Sequence, residues 1–200
     1  MAVQSAEAEN RRLQETITNA GVPRRYSQAT LERIDRQHYP IAVGHIENFF
    51  LDFENALTNG GGMLIHGGVG TGKTYLACAL VNSLLASRHT AVYATFYDVV
   101  ASIKASWNGN GNEHEINRTL TIPDLLVLDE IGVQHNSDFE RVIMSNVIDR
   151  RSRDCKPTIL ISNHRPDEVV KIVGRRAYDR LVGFGGTILE MRGTSLRINQ

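Results

Sequence analysis

The sequence predicts an α/β protein built on a parallel, doubly wound sheet. Short apolar segments of strand length alternate along the chain with longer segments of helical periodicity, which is the order that parallel β-α-β units require. Residues 124–129 form a nearly continuous apolar run, as expected of a strand that helices cover on both faces. The length of 200 residues suits one such domain with a small appendage.

The chain carries no net charge, because 22 Lys and Arg residues balance 22 Asp and Glu residues. The whole molecule therefore offers no electrostatic argument for a nucleic-acid partner. The charge is unevenly distributed, however, since residues 141–200 hold 12 basic against 6 acidic residues. This basic last third either faces polyphosphate or DNA, or is an ordinary solvated surface.

Cysteine content and hydropathy indicate the compartment. The two cysteines, Cys78 and Cys155, are too few for a disulfide framework or a zinc site and suit a reducing environment. The amino terminus is polar and charged, unlike a signal peptide, and no apolar run approaches the roughly 18 residues of a membrane span. The sequence therefore predicts a soluble, cytoplasmic protein without a membrane partner.

The first two predicted elements are helices. Residues 4–19 are mostly polar, and Leu13 and Ile17 form the only apolar pair at helical spacing, which is too narrow a stripe for a core helix. This segment is either a frayed arm or a helix that binds a partner. A second helix is predicted over 41–57. Its apolar face consists of Ile46, Phe49, Phe50 and Phe53.

The remaining predicted elements alternate between strand and helix, without repeats or long linkers. Strands are predicted immediately before residue 67 and over 91–95, 124–129 and 158–162, with weaker strands over 187–191 and 195–199. Helices are predicted over 73–87, 97–107, 137–152, 167–173 and 174–182.

Residues Gly67 to Thr74 read G-x-x-x-x-G-K-T between an apolar strand and a helix, the context of a phosphate-binding loop. The glycines permit positive φ angles, so that successive backbone N–H groups converge on one anion at the positive end of the helix dipole. Lys73 is expected to reach the β- and γ-phosphates, and the Thr74 hydroxyl to ligate Mg²⁺. The sequence therefore predicts a nucleoside triphosphate site. Its binding residues are predicted to be Gly68, Val69, Gly70, Thr71, Gly72, Lys73, Thr74 and Tyr75.

Two adjacent carboxylates, Asp129 and Glu130, end the apolar strand about 50 residues beyond this loop. In a P-loop fold the strand beside the phosphate loop ends near Mg²⁺, so Asp129 is predicted to hold the metal, directly or through water. Glu130 is predicted to orient or deprotonate the attacking water. Two acids at the start of a loop are otherwise common and solvated.

Further polar residues late in the chain are candidates for hydrolysis. If the strand before Asn163 lies between the two phosphate-site strands, the Asn163 carboxamide is placed to position the lytic water. Otherwise Asn163 is a plain loop cap. Residues 174–181 carry several arginines, one of which could be a finger donated to the ATP of a neighbouring subunit. Arg197 could reach the γ-phosphate in its own subunit.

The motifs also separate classes of nucleotide-binding protein. GTP-binding switches need the guanine-reading pattern N-K-x-D, which is absent from this sequence. Small-molecule kinases usually carry a mobile lid, and no lid insertion is evident. Paired carboxylates with late arginines favour a motor or switch ATPase.

Five stretches carry a family resemblance: residues 125–134, 139–143, 147–152, 161–163 and 174–181. They resemble AAA+ ATPases of the DnaC type, bacterial replicative-helicase loaders, and the related IstB transposition ATPases. The likeness covers about residues 20–199. It implies a P-loop AAA+ core over residues 21–200 without a carboxy-terminal helical lid, preceded by a short helical arm over residues 1–20.

The resemblance implies roles for individual residues. Gly67 to Thr74 would be Walker A, and Asp129 with Glu130 would be Walker B. Asn163 would be sensor 1, Arg180 the trans-acting arginine finger and Arg197 the sensor 2 arginine. The implied cofactors are ATP and Mg²⁺.

The family also binds single-stranded DNA along the inside of an ATP-dependent spiral. The matching positions in this sequence are Trp107, Ser137 and Phe139. An aromatic ring offers a stacking surface for any base, which gives physical sense to Trp107 beside an Asn- and Gly-rich loop. Phe139 lies at helical spacing with Ile143 and could equally belong to the core.

The function implied is a weak ATPase that assembles side by side, binds single-stranded DNA and helps to place a replicative hexameric helicase on DNA. The sequence departs from the family pattern in the region before the ATPase domain, which is shorter than the helicase-binding region of these loaders and on which docking to a helicase would depend. Two alternatives stay open. One is an IstB-like transposition ATPase, and the other is a non-hydrolysing adaptor that nucleotide stabilises.

Overall fold

A computed structural model describes residues 2–37, 39–107, 112–133, 137–183 and 185–193, with the backbone alone for residues 2–10. Its centre is a parallel five-stranded sheet with the strand order β2-β3-β4-β1-β5. The predicted parallel α/β architecture is therefore confirmed. The strands are β1 (Met63–Gly67), β2 (Ala91–Thr95), β3 (Leu125–Ile131), β4 (Thr158–Ser162) and β5 (Thr187–Met191).

Helices cover both faces of this sheet. Alternate strand residues belong to two separate cores: Met63 and Ile65 pack in one, and Leu64 packs in the other. The first core is covered by α1 (Ala2–Asn19), α2 (Pro40–Leu51), α3 (Phe53–Asn59) and α4 (Lys73–Ala86). The second is covered by α5 (Phe96–Trp107), α6 (Glu113–Thr121), α7 (Asp138–Arg153), α8 (Pro166–Val173) and α9 (Arg175–Val182).

Two helical predictions differ from the structure. The helix predicted over 41–57 breaks at Asp52, whose φ of −105° and ψ of 24° lie outside helical geometry. Helix α6 was not predicted, because it has few apolar residues and buries mainly Leu120. Its start is fixed locally, since the Asn112 side chain accepts a hydrogen bond of 3.0 Å from the His114 N–H. The weak strand predicted over 187–191 exists as β5, whereas 195–199 lies outside the described residues.

The amino-terminal helix α1 makes firmer contacts than its narrow apolar stripe suggests. Ile17 is buried in the first core and Leu13 packs against that core. Just after the helix, the Ala20 carbonyl accepts a hydrogen bond of 2.8 Å from the Tyr93 N–H on β2. The division of the chain into an arm over 1–20 and a domain over 21–200 stays a prediction.

A buried arginine closes the amino end of the sheet. Arg151 on α7 is fully buried, and its guanidinium uses all five N–H groups. Burial lowers the pKa of this guanidinium to about 9, so that it stays charged at neutral pH. Its partners are the Thr158 hydroxyl and the backbone carbonyls of Leu120, Pro123, Asp124 and Pro157.

Within the described ranges, no helix is long and apolar enough to cross a membrane.

Candidate nucleotide-binding site

The phosphate-binding loop connects the end of β1 to the start of α4. Gly67, Gly70 and Gly72 have φ angles of 143°, 79° and 87°, which only glycine adopts without strain. A Cβ atom on Gly67 would lie 2.1 Å from the Met191 carbonyl oxygen, so close strand packing also requires glycine there. The loop therefore has the backbone geometry that the motif predicts.

Lys73 and Thr71 stabilise the loop from within. The buried Lys73 ammonium donates to the carbonyls of Gly67 and Gly68, at 2.8 and 2.6 Å. The buried Thr71 hydroxyl donates to the Gly68 carbonyl at 2.9 Å. A polyphosphate entering the loop would compete for the Lys73 ammonium.

Asp129 lies at the carboxyl end of β3, only 4% exposed, and connects the loop to the sheet. Its Oδ2 accepts hydrogen bonds from the Thr74 hydroxyl at 2.7 Å and the Tyr93 hydroxyl at 2.8 Å, and its Oδ1 accepts from the Glu130 N–H at 2.6 Å. Burial and the Asp129 charge raise the pKa of Tyr93, which keeps this phenol protonated as a donor. Burial also raises the pKa of the Cys78 thiol, which stays uncharged below the site.

The oxygen donors here fit Mg²⁺. Thr74 supplies a hydroxyl and Asp129 a carboxylate, which are hard ligands of the kind this cation prefers. Among the described residues, no group of three or more His, Cys, Asp or Glu side chains could hold a metal ion. The pair therefore suits Mg²⁺ shared with phosphate oxygens and water rather than an all-protein cage.

Glu130 follows with a φ angle of 62°, in the left-handed region that a residue with a Cβ rarely adopts. Backbone strain of this kind concentrates at functional sites. The turn directs an exposed Glu130 to the rim of the site, while Asp129 stays buried.

A cavity of about 320 Å³ joins these residues. Asn163 borders it, because β4 lies between β1 and β3 and so ends between the loop and the carboxylates. The sequence predicted a place for Asn163 at the site only if the strand before it lies between the two phosphate-site strands, and the sheet order meets this condition. Gly68 and Thr71 belong to the loop but do not line the cavity. The predicted residues that do line it are Val69, Gly70, Gly72, Lys73, Thr74 and Tyr75 in the loop, with Asp129, Glu130 and Asn163.

Arg25 and Tyr26 line the same cavity and were not predicted. They lie in a single 3₁₀ turn (Arg24–Tyr26), and the Tyr26 ring packs edge-on against Tyr75 with centroids 6.2 Å apart. The Asn82 side chain on α4 fixes this segment by donating to the carbonyls of Tyr26 and Ala29, at 2.9 and 2.8 Å. Asn82, a polar residue within the apolar run of α4, is the sequence signal that could have indicated this contact.

Arg180 does not border its own nucleotide cavity. It lies on α9, where its guanidinium forms an ion pair of 2.5 Å with Asp149, and Arg176 approaches the same carboxylate at 3.6 Å. Arg197 lies outside the described residues.

The three predicted DNA-binding positions are close in space but differ in environment. Trp107 is 59% exposed at the end of α5, and its ring centroid lies 4.8 Å from that of Phe139. Phe139 is half-buried and packs against the second core, and its role in binding DNA stays a prediction. The Lys104 ammonium lies 5.9 Å from the Phe139 ring centroid. Ser137 caps α7, where its hydroxyl accepts from the Glu140 N–H at 3.3 Å.

Fold and site together define a P-loop ATP-binding protein of the AAA+ class. The chain belongs to the family of IstB-like ATP binding proteins, which it matches over residues 2–200. The resemblance that the sequence motifs indicated is therefore confirmed.

Two named relatives of this chain are replicative helicase loaders. The replicative helicase loader DnaC of Escherichia coli (strain K12) is 32% identical over 187 residues, which is 90% of this chain and 75% of that protein. The replicative helicase loader DnaC of Buchnera aphidicola subsp. Baizongia pistaciae (strain Bp) is 30% identical over 175 residues, covering 85% and 70% of the two chains.

Solved structures support the fold. A crystal structure of the DnaC helicase loader matches with a TM-score of 0.75 at 22% identity, covering 85% of this chain and all of that one. The replication initiator DnaA bound to AMPPCP and single-stranded DNA matches with a TM-score of 0.70 at 22% identity, covering 86% and 51%.

Proposed function

We propose that this chain is a cytoplasmic helicase loader that binds single-stranded DNA in its ATP-bound state and helps to place a replicative hexameric helicase on DNA. The observation that carries the proposal is the joint presence of a cavity lined by the phosphate-binding loop, Asp129 and Glu130, and of an exposed Trp107 that packs on Phe139 beside Lys104. Aromatic rings next to a cation suit the bases and phosphates of a single strand. The relatives named DnaC support the helicase as partner.

The residues of the site divide the work of a weak ATPase. Backbone N–H groups of the loop and Lys73 bind the phosphates, and Tyr26 and Tyr75, which line the cavity, offer aromatic surface to the base. Thr74 and Asp129 would hold Mg²⁺, and the cation would supply positive charge to neutralise the phosphates. Glu130 orients or deprotonates the attacking water, and Asn163 positions it.

Hydrolysis in this proposal requires assembly. Arg180 is held by Asp149 within its own subunit, away from the nucleotide cavity. In an ATP-dependent spiral of subunits, it would leave this pair and stabilise the developing charge on a neighbour's ATP. ATP thus stabilises the DNA-binding assembly and hydrolysis releases it.

The DNA part of the proposal is tested by fluorescence anisotropy of a labelled single-stranded oligonucleotide. Protein is titrated with ATP·Mg²⁺, a non-hydrolysable analogue, ADP or no nucleotide, at one fixed salt concentration because phosphate contacts depend on salt. We expect tight binding only with a triphosphate, and a loss of about fivefold or more in affinity in Trp107→Ala, since base stacking contributes about 1–3 kcal/mol.

Leu51→Ala is the matched control, because Leu51 is a large apolar side chain, 80% exposed, on the remote helix α2. Its affinity should equal that of the unaltered protein. Preference for duplex DNA would instead support the IstB-like transposition ATPase, and absence of DNA binding in every nucleotide state would support the adaptor. Pull-down of a replicative helicase, against a transposase, separates loader from transposition factor.

The trans role of Arg180 has its own experiment. Arg180→Ala should abolish DNA-stimulated hydrolysis, and mixing it with Lys73→Ala subunits should restore part of the rate, because one subunit supplies the loop and the other the arginine. Arg176→Ala is the matched control, since it removes an exposed arginine from the same helix and the same Asp149 cluster. No recovery in the mixture would contradict a trans finger.

A further inference from the structure

Asn82 is a buried polar residue on α4 that does not line the nucleotide cavity. It is 3% exposed, and its side-chain amide donates to the carbonyls of Tyr26 and Ala29, at 2.9 and 2.8 Å. The amide oxygen is also buried and has no hydrogen-bond partner within the part of the chain that the structure describes. Because an unpaired buried acceptor lowers stability, an apolar side chain would suit this position better if the two carbonyls did not need a donor.

The 3₁₀ turn that these hydrogen bonds hold is fixed by its backbone more than by its packing. None of the three residues of the turn Arg24–Tyr26 is buried, and the half-buried Tyr26 ring meets Tyr75 edge-on. The Tyr26 carbonyl accepts one further hydrogen bond, of 3.0 Å, from the Ala29 N–H within the same segment. The two hydrogen bonds from Asn82 therefore determine where the Tyr26 ring lies relative to α4.

Helix α4 contributes to both ends of the nucleotide cavity. Its first residue, Lys73, belongs to the phosphate-binding loop, and Asn82 follows nine residues later, about 14 Å along the helix axis. Tyr75 lies in the first turn of the same helix and lines the cavity with Tyr26. One helix thus fixes the position of the turn relative to the phosphate-binding loop.

The phosphate-binding loop has its own hydrogen bonds. Lys73 and Thr71 donate to loop carbonyls, and Thr74 donates to Asp129, and none of these hydrogen bonds involves residues 24–29. A displaced turn should therefore change contacts with the base and leave contacts with the phosphates intact. The two parts of a nucleotide can then be separated by experiment.

We propose that Asn82 is a positioning residue for the base of the nucleotide, which holds Tyr26 in the cavity and so sets the part of the ATP affinity that the base contributes. This inference rests on the proposed contact of Tyr26 and Tyr75 with the base, and it adds the residue that places this surface. Asn82 acts through the Tyr26 backbone. A surface that is held in place before binding gives a higher affinity, because less conformational freedom is lost when the ligand binds.

The experiment compares the unaltered protein with Asn82→Leu, Tyr26→Ala and the double variant of both. Asn82→Leu removes the two donors and keeps a side chain of similar size. Leu84→Ala is the matched control, because Leu84 is fully buried two residues later on nearly the opposite face of α4. It loosens the same helix without removing a hydrogen bond to the turn. Asn82→Ser, with the same expectation, replaces Asn82→Leu if circular dichroism shows that the latter does not fold.

Two ligands are titrated by isothermal titration calorimetry, each with Mg²⁺. One is a non-hydrolysable ATP analogue, and the other is inorganic tripolyphosphate, which has the phosphates without the base. We expect Asn82→Leu to weaken binding of the analogue by about fivefold or more, as loss of an aromatic contact with a base does. Its affinity for tripolyphosphate should be unchanged. Leu84→Ala should bind both ligands as the unaltered protein does.

The double variant tests whether Asn82 acts through Tyr26. Its affinity for the analogue should equal that of Tyr26→Ala alone, because both changes remove the same contact. Additive losses in the double variant would overturn the inference, as would unchanged affinity for the analogue in Asn82→Leu. An equal loss for both ligands in Asn82→Leu would show a general loosening of the site and would also overturn it.

The unaltered protein separates this inference from the proposed function. Tripolyphosphate bound as tightly as the analogue would overturn the role of the base and of Asn82, while the triphosphate site stands. Absence of binding of both ligands would overturn the proposed nucleotide site, and the inference with it.

Discussion

Two buried charges lie at opposite ends of the sheet, Arg151 on helix α7 and Asp129 on strand β3, and their hydrogen-bond partners are of different kinds. Arg151 packs at the amino end of β3 and β4, and Asp129 lies near the carboxyl end of β3. Arg151 is satisfied mainly by backbone carbonyls, which the sheet and its loops hold in place. Asp129 is satisfied largely by two side-chain hydroxyls, from Thr74 and Tyr93, beside an open cavity.

This difference shows that the two ends of strands β3 and β4 have different properties: the amino end contributes stability, and the carboxyl end borders the nucleotide cavity. A ligand cannot replace the backbone carbonyls that bind Arg151, because the sheet and its loops hold them in place. Removing the arginine would leave several buried acceptors without a donor. A carboxylate held by hydroxyls exchanges partners at little cost, because a hydroxyl rotates. Buried charge in this fold therefore indicates rigidity at one end and ligand exchange at the other.

The largest expected effect comes from Arg151→Met. The change removes five hydrogen bonds and leaves buried carbonyls unsatisfied, which should lower the free energy of unfolding by about 4 kcal/mol. Urea denaturation followed by circular dichroism measures it. Arg151→Lys should recover little, since an ammonium has three donors and no planar fork. A decrease of less than about 1 kcal/mol in the free energy of unfolding of Arg151→Met would contradict the stabilising role of Arg151.

In Asp129→Asn, the loss of stability should be small and the loss of ATP hydrolysis large. The amide cannot replace both carboxylate oxygens, so one of three hydrogen bonds is lost and the free energy of unfolding should fall by about 1–2 kcal/mol. Hydrolysis should fall on the order of 100-fold, because the proposed Mg²⁺ site would lose its carboxylate ligand. Steady-state turnover and urea denaturation are compared on one preparation. Turnover near that of the unaltered protein would remove Asp129 from the metal site.

The smallest effect is expected from Tyr93→Phe. The change deletes one donor to Asp129 and leaves the Thr74 donor in place, so the free energy of unfolding should fall by about 1 kcal/mol. Turnover at saturating ATP should stay within about threefold, because the phenol touches no reacting atom in the proposed mechanism. A loss as large as that of Asp129→Asn would show that the carboxylate depends on Tyr93 for its catalytic position.

The parts of the site that could be predicted are those encoded in contiguous residues. Gly67 to Thr74 carry their own geometry, and Asp129 with Glu130 follows a strand too apolar to lie elsewhere than in the sheet centre. The position of Asn163 beside the cavity depended on one topological fact, the place of β4 between β1 and β3, and its role in hydrolysis stays a proposal.

The parts that could not be predicted depend on contacts between distant residues. Arg25 and Tyr26 reach the cavity because Asn82, more than 50 residues later, binds the carbonyls around them. Neither residue belongs to a periodic pattern or motif. Helix α6 was missed for a related reason: its sequence lacks an apolar stripe, and packing of Leu120 against the second core decides its conformation.

The hydrogen bond between Ala20 and Tyr93 bears on how the chain tolerates shortening. β2 is an edge strand within the described sheet, and the Ala20 carbonyl satisfies one of its N–H groups while Ile17 covers the first core. A Cβ atom on Gly21 would lie 2.2 Å from the Tyr93 carbonyl oxygen, so the backbone at Gly21 packs directly against β2 with no room for a side chain. Deleting residues up to 20 would bare the strand edge to pairing between molecules. A shortened version intended to stay monodisperse should therefore start before Leu13.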